Sequence, residues 1–311
     1  MILTVTLNPS IDTAYRVERL KVDDVNRVVP KKTAGGKGLN VARVLAQLGD
    51  DVLACGLAGG HMGAYVRDLL DGDGIPHDLT QIAGETRVCV SILHEGCQTE
   101  LLERGPEVDG GELEAFMRRF SELVARADCV TISGSLPRGV DAGCYAELVR
   151  LAAEAGVPAL LDSSGEPLAW ALEASIKPTL IKPNLTEVND LLGLACTADD
   201  LAGLERAVAG DARLAGIPWV VVTLGAAGAA AFHEGEAWRV TMPRIEARNA
   251  TGSGDATIAG FAHAMAEGAD DAEMLRVGMT CGTLNAMDER TGHLAMERWD
   301  EVYSGAVVER A

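Results

Sequence analysis

Between residues 111 and 162 the chain switches regularly between two hydrophobic periods: helix at 111–127, strand at 129–133, loop at 134–139, helix at 142–155 and strand at 158–162. Short apolar strands alternating with helices of this length predict βαβ units, hence an α/β fold built on a mostly parallel sheet. The alternation extends outside that window. Residues 1–7 are an apolar run with β-branched side chains, stopped by Asn8, Pro9 and Ser10. Another strand ends before Lys182, Pro183 and Asn184, a helix follows at 185–192, and 219–223 reads as a strand of the buried type. With 311 residues, 48% of them hydrophobic, the chain is long enough to bury one large core, and we expect a single domain over 1–311. No internal repeat or low-complexity linker interrupts it.

Two stretches stand outside the alternation. From 15 to 32 the pattern is polar and interrupted, with short strand-like alternation, while 86–93 and 99–102 read as strands facing each other across 94–98. Together, at about 13–32 and 85–104, they predict a small accessory sheet standing off the core. Such a sheet beside a glycine-rich turn is suited to act as a lid that excludes water.

The net charge of −19 and pI near 4.7 argue against nucleic acid or an anionic membrane as partner, because both need a basic face. An anionic small molecule remains compatible, since three of the six lysines, Lys31, Lys32 and Lys37, fall in one short stretch near Arg27 and Arg43. The seven cysteines are scattered and odd in number, without a C-x-x-C pair, and are expected to be reduced core thiols. The N-terminus has no basic region followed by a long apolar run, and no segment approaches a membrane span, so a cytoplasmic location is expected.

Two glycine-rich turns open onto helices. The stretch ATGSGDATIAGFA at 250–262 combines Gly252, Ser253 and Gly254 with Asp255 and a helix expected at 256–267, after a strand expected at 236–245. A helix N-terminus offers unpaired N–H groups and a positive dipole end, so this turn can serve as an anion hole for a phosphoryl group. Asp255 at its lip is then placed to deprotonate an attacking hydroxyl. A plain helix cap explains the acid equally well, and the turn matches neither the dinucleotide fingerprint nor the P-loop pattern. The second turn, TAGGKGLN at 33–40, leads into a helix ended by Gly49. Lys37 in its first turn is electrostatically misplaced unless an anion lies nearby.

Three further places are suggestive. Asp12, just past the first strand, lies where open α/β sheets gather ligands, although it also suits a turn. Asn184 and Glu187, three apart, can hold a magnesium ion through water, or simply form a capping box. The small residues from Leu224 to Ala229, after Thr223, leave room for a flat ligand such as adenine or ribose.

Read together, these pieces resemble the PfkB family of carbohydrate kinases over essentially the whole chain. The resemblance implies a ribokinase-like three-layer α/β/α sandwich with a β-sheet lid, and an ATP- and Mg²⁺-dependent transfer. NPSID at 8–12 is similar to the family's opening strand, which implies that Asp12 grips sugar hydroxyls; AGGKGLNVAR at 34–43 looks like its first signature, adding Gly36 and Asn40. KPNLTE at 182–187 matches the N-x-x-E element tied to magnesium and phosphate, which implicates Asn184 and Glu187, with Lys182 beside them. TLGAAG at 223–228 resembles the nucleotide loop, bringing in Thr223, Gly225 and Gly228, with Asn285 as a further nucleotide-side residue. TGSGD at 251–255 resembles the second signature, with Asp255 as the implied base and Gly252, Ser253 and Gly254 around the moving phosphoryl group.

Within the family, TVTLNPSID, VNRV, SGSLPRG and LDSSGE resemble the phosphosugar branch, the tagatose-6-phosphate kinases and 1-phosphofructokinases. Arg27, Arg87 and Arg138 are cations that a kinase for neutral sugars would not need, and with Lys37 and Ser135 they are the expected hold on the resident phosphate. GMTCGTLNAMDERTGHL and GSGDATIAG look more like the tagatose-6-phosphate kinases. LLERGP at 101–106 departs from the Asn-Glu-Pro-Gly-Pro often seen in this branch, which leaves the role of Arg104 open. The expected reaction is phosphorylation of D-tagatose 6-phosphate to the 1,6-bisphosphate. The same-class alternative is fructose 1-phosphate as acceptor, and a non-catalytic sugar-phosphate sensor is the alternative of another class. A homodimer through the lid sheets is expected from the family and from an exposed face of Val22, Val25 and Val28.

Overall fold

The computed structural model describes residues 1–310. The chain opens with β1 (Ile2–Thr6), β2 (Ser10–Val17), β3 (Lys31–Gly35), α1 (Lys37–Leu48), β4 (Val52–Gly59), α2 (Gly60–Gly72), β5 (His77–Ile82), β6 (Arg87–His94) and β7 (Cys97–Leu102). Its middle runs through α3 (Gly110–Val124), β8 (Cys129–Ser133), α4 (Cys144–Glu154), β9 (Ala159–Asp162), α5 (Gly165–Glu173), β10 (Leu180–Ile181), α6 (Leu185–Leu192) and α7 (Leu201–Gly210). It finishes with β11 (Trp219–Thr223), β12 (Ala229–His233), β13 (Glu236–Thr241), α8 (Ser253–Ala266), α9 (Asp271–Met287), α10 (Trp299–Gly305) and β14 (Val307–Arg310).

Ten strands form one sheet in the order β14-β13-β12-β11-β10-β9-β8-β1-β4-β5, parallel from β11 to β5 and antiparallel beyond β11. Strand periodicity sends alternate side chains to opposite faces. Thus Trp219 and Val221 join the core under α1, α8 and α9, while Val220 and Val222 join the core under α3, α4 and α5. Helices on both faces make a three-layer α/β/α sandwich, and they explain why β1 and β8 are buried throughout rather than alternating. No helix among the described residues is long and apolar enough to cross a membrane.

The remaining strands form the second sheet, β3-β2-β6-β7, with β7 wholly exposed. Its bounds differ from the expectation of 13–32 and 85–104. The strands begin at Ser10 and end at Gly35, and the strand-like alternation from 18 to 30 is loop. There the Asn26 side chain bonds the backbone N–H and C=O of Lys21, and Asp23 sits at positive φ, so local polar bonds replace a ladder. This loop exposes Val22, Val25 and Val29, whereas Val28 is half-buried. Two other bounds move: β13 stops at Thr241 instead of 245, and α8 begins at Ser253 rather than 256. The earlier start puts Asp255 inside the first turn.

Candidate active site

The carboxyl ends of β1, β8, β9, β10 and β11 point to one side of the sheet, where β1 has its successive partners β4 and β8 on opposite flanks. Such a reversal of strand order opens a crevice at the strand ends. The cavity found there encloses about 970 Å³ beneath the lid. Both glycine-rich turns empty into it.

At α8 the N-cap is Gly252, with φ 83 and no side-chain cap, and a Cβ there would lie 2.7 Å from Thr291 Cγ2. Glycine alone fits this turn without strain. Gly254 and Asp255 line the cavity in the first turn of α8, where backbone amides have no intrahelical acceptor, the arrangement that receives anions. The cap reading of Asp255 is excluded, because its Oδ2 instead accepts the Nδ2 of Asn40 at 2.8 Å. Asp255 is 5% exposed, and its carboxyl is pushed up to about 7 by burial first and the nearby Asp162 charge second, against the pull of Lys37, the Asn40 bond and Lys182. At neutral pH it is poised between acid and base.

Lys37 opens α1 from Gly36, and the anion that its position demands is supplied by the chain itself. Asp162, at the end of β9, places Oδ1 3.5 Å from Lys37 Nζ and 3.5 Å from Lys182 Nζ. Burial works against the Asp162 charge, but the two lysines hold its carboxyl below the usual range; burial likewise opposes the Lys37 charge, and Asp162 and Asp255 outweigh it. Lys182 also lies against Gly254, where a Cβ would come within 3.1 Å of Nζ. A pair of lysines and a pair of aspartates thus line one wall of the cavity. No catalytic motif marks Asp162, although an acid closing an apolar strand is the same signal that singles out Asp12.

Asp12 stands within β2 rather than past a strand end, accepts the Ser10 hydroxyl at 2.6 Å, and has its carboxyl raised by burial. Gly35 makes room for it, since a Cβ there would sit 2.1 Å from its Cγ. Asp12, Gly36, Lys37, Asn40, Arg87, Lys182, Asn184, Glu187, Thr223, Gly252, Gly254 and Asp255 all line the one cavity. Arg16, Lys31, Arg248 and Arg290 line it too. Scattered single cations with no motif around them give sequence reasoning little to hold.

Asn184 and Glu187 do form the capping box, with Glu187 N donating to Asn184 Oδ1 at 2.9 Å and Asn184 N donating to Glu187 Oε2 at 2.8 Å. A second cavity of about 590 Å³ shares Gly36, Lys37 and Arg87 with the first and adds Ser135. The Arg87 guanidinium staples the lid strand to the body through the carbonyls of Asn8 and Glu103.

Five expected residues lie elsewhere. Arg27 is exposed on the loop between β2 and β3 and lines neither cavity, and Arg138 is exposed with its Nε on the Gly105 carbonyl. Asn285 is fully buried and serves the turn from behind: its Nδ2 donates to the Thr251 carbonyl and the Ser253 hydroxyl, and its Oδ1 accepts Gly292 N. The Ser253 side chain accordingly points to α9, leaving only its backbone to the turn. Gly225 begins a 3-10 turn outside the cavity and Gly228 follows it, with the backbone at Gly228 pressed against β13, where a Cβ would be 1.9 Å from the Val240 carbonyl oxygen. Arg104, whose role was open, offers its carbonyl to Asn8.

A family model for pfkB carbohydrate kinases matches residues 5–297. The chain belongs to this family. Among solved structures, Escherichia coli phosphofructokinase-2 in complex with fructose-6-phosphate is 28% identical, with 97% of this chain and 98% of that one covered and a TM-score of 0.87. A Thermotoga maritima protein described as a possible 1-phosphofructokinase is 29% identical over 100% of this chain and 99% of its own, with a TM-score of 0.88. The tetrameric inhibited form of the Escherichia coli enzyme is 27% identical over 97% and 98%, with a TM-score of 0.86. The kinase fold is thus the ribokinase-like sandwich, lid included.

Proposed function

We propose that this kinase transfers the γ-phosphoryl group of ATP to a ketohexose monophosphate, D-tagatose 6-phosphate first, giving the 1,6-bisphosphate. The observation that carries the reading is a carboxyl with a pKa near neutrality at the uncapped start of α8, in one cavity with Asp12, Gly36 and Asn40. Asp12, Gly36 and Asn40 hold sugar hydroxyls. Asp255 takes the proton of the acceptor hydroxyl as its oxygen bonds to the γ-phosphorus and the bond to the β-phosphate oxygen breaks, releasing ADP. The Gly252–Gly254 turn and the α8 dipole bear the charge in transit. Lys37 and Lys182, both ion-paired with Asp162, add positive charge beside it.

The adjoining cavity with Lys37, Arg87 and Ser135 supports a resident phosphate, because polar groups with no partner, the Thr6 and Ser133 hydroxyls, are buried at its wall. Arg27 and Arg138 have no place in this hold. The nucleotide lies on the side of Lys182, Asn184 and Thr223. Magnesium fits Glu187 and Asn184 through water: Glu187 keeps one carboxylate oxygen outside the capping box, and no cluster of three or more His, Cys, Asp or Glu among the described residues forms a protein cage. The ion would neutralise the triphosphate there.

The choice of tagatose 6-phosphate rests on the resemblance of GMTCGTLNAMDERTGHL and GSGDATIAG, while the likeness to a possible 1-phosphofructokinase favours fructose 1-phosphate as second reading. ADP release with tagatose 6-phosphate, fructose 6-phosphate and fructose 1-phosphate, each with ATP, decides between them. The highest kcat/KM is expected with tagatose 6-phosphate. A higher value with fructose 1-phosphate reverses the assignment, and no ADP with any of the three makes the chain a sensor instead.

A further inference from the structure

The proposed base depends on which way one amide points. Asn40, 7% exposed, gives Nδ2 to Asp255, but an asparagine carries donors at one end and an acceptor at the other. Reversed, its oxygen would meet the carboxylate. The orientation is fixed from behind by Arg43, one turn further along α1, whose Nη1 donates to Asn40 Oδ1 at 3.1 Å. A guanidinium has no acceptor, so only the amide oxygen can face it. Arg43 is 4% exposed and is itself held at two other points, with Nη2 on the Ala34 carbonyl at 2.7 Å and Nε on Asp73 Oδ2 at 3.1 Å. Gly292 closes the space above, where a Cβ would lie 3.1 Å from Arg43 Nη1 and 3.2 Å from Asn40 Cα.

We propose that Arg43 is a positioning residue for phosphoryl transfer: bridging Asp73, Ala34 and Asn40, it locks the Asn40 amide so that its N–H faces Asp255 Oδ2 and leaves the other oxygen for the acceptor hydroxyl. The inference rests on the reading of Asp255 as the base. It makes a specific demand on the ionisation of that acid. Asp255 is faced by Lys37 and Asn40 from α1, Asp162 from β9 and Lys182 from beyond β10; of these Lys37, the Asn40 bond and Lys182 favour the charged form and Asp162 opposes it. Freeing the amide removes a donor and lets an oxygen approach, and both changes favour the protonated acid. Arg43 also lends its charge to Asp12 and His293, so a charge effect must be told apart from the bond.

The test follows the Asp255 carboxyl carbon by NMR titration, with its signal assigned by its loss in Asp255→Asn, alongside the acid limb of kcat/KM. Arg43→Met is expected to raise both midpoints by about one pH unit, the worth of one hydrogen bond to a charged group. Asp73→Asn, which loosens the guanidinium without emptying the site, is expected to move them the same way by less, and stands as the deciding variant if Arg43→Met does not fold. In an Asn40→Ala background, Arg43→Met should add no further shift. Arg43→Lys keeps the charge but loses the fork. Unchanged midpoints in the folded variants overturn the proposal, and so does a wild-type midpoint in Arg43→Lys. The carboxyl titration needs no substrate, so a chain that phosphorylates none of the sugars refutes the proposed function while this result stands or falls alone.

Discussion

Asp255 combines two properties that ordinarily exclude each other: it is buried, and it has to ionise. Between the ordinary carboxylate pKa and about 7, the unfolded chain releases this proton while the folded chain retains it. The folded state binds more protons there, so stability falls as pH rises through that window and levels off above it. Asp255→Asn should therefore abolish turnover, by about a thousandfold or more in kcat, while leaving sugar-phosphate affinity by calorimetry within a few-fold. The same variant should melt higher than the wild type at pH 8 by an amount of order 2–4 kcal/mol, and close to it at pH 4. Turnover retained by Asp255→Asn would reject the base assignment. The acid itself was legible because a turn, a helix start and a carboxylate fall within five residues of sequence. Asp162 was not, because its importance lies in two lysines, 37 and 182, that only folding brings to its carboxylate.

At the scale of elements, the two glycine-rich helix starts at the site dispense with a side-chain cap, while α3, and α6 whose start also lines the cavity, each carry a full capping box. Caps occupy the first-turn amides, and a phosphate site needs them open. Gly252 keeps α8 open by adopting φ 83, so Gly252→Ala is expected to cost about 1–3 kcal/mol in urea unfolding and to depress kcat as the turn shifts. Unchanged stability and rate would show that the turn tolerates a side chain. Periodicity located most of these helices and strands because each buries a face with its own repeat. It misplaced the start of α8 by three residues, since Ser253 and Gly254 are poor helix formers and the start is fixed by the α9 side chain of Asn285 on the Thr251 carbonyl and the Ser253 hydroxyl. It also read strand into the loop between β2 and β3, where Asn26 bonds to Lys21 make the structure and no hydrophobic period does.

For the whole molecule, the lid leaves Val22 80%, Val25 69%, Val29 90%, Leu101 61% and Leu102 60% exposed, an unusual concentration of large apolar side chains. We propose that a second copy of the chain covers them, joining two lids. Leu101→Asp combined with Val22→Asp should halve the mass measured by light scattering, and a monomeric wild type would refute the interface. Sequence by itself determined the layers and the two open turns, because strand and helix periods and glycine geometry act over a few neighbouring residues. Only the tertiary structure decided which charges meet. The quartet of Lys37, Asp162, Lys182 and Asp255, the Asn40 bond to Asp255 and the exclusion of Arg27, Arg138 and Asn285 from the cavity wall all join or part residues far apart in sequence. Their electrostatics depend on distance and burial, which exist only once the sheet has set the ends of its strands side by side.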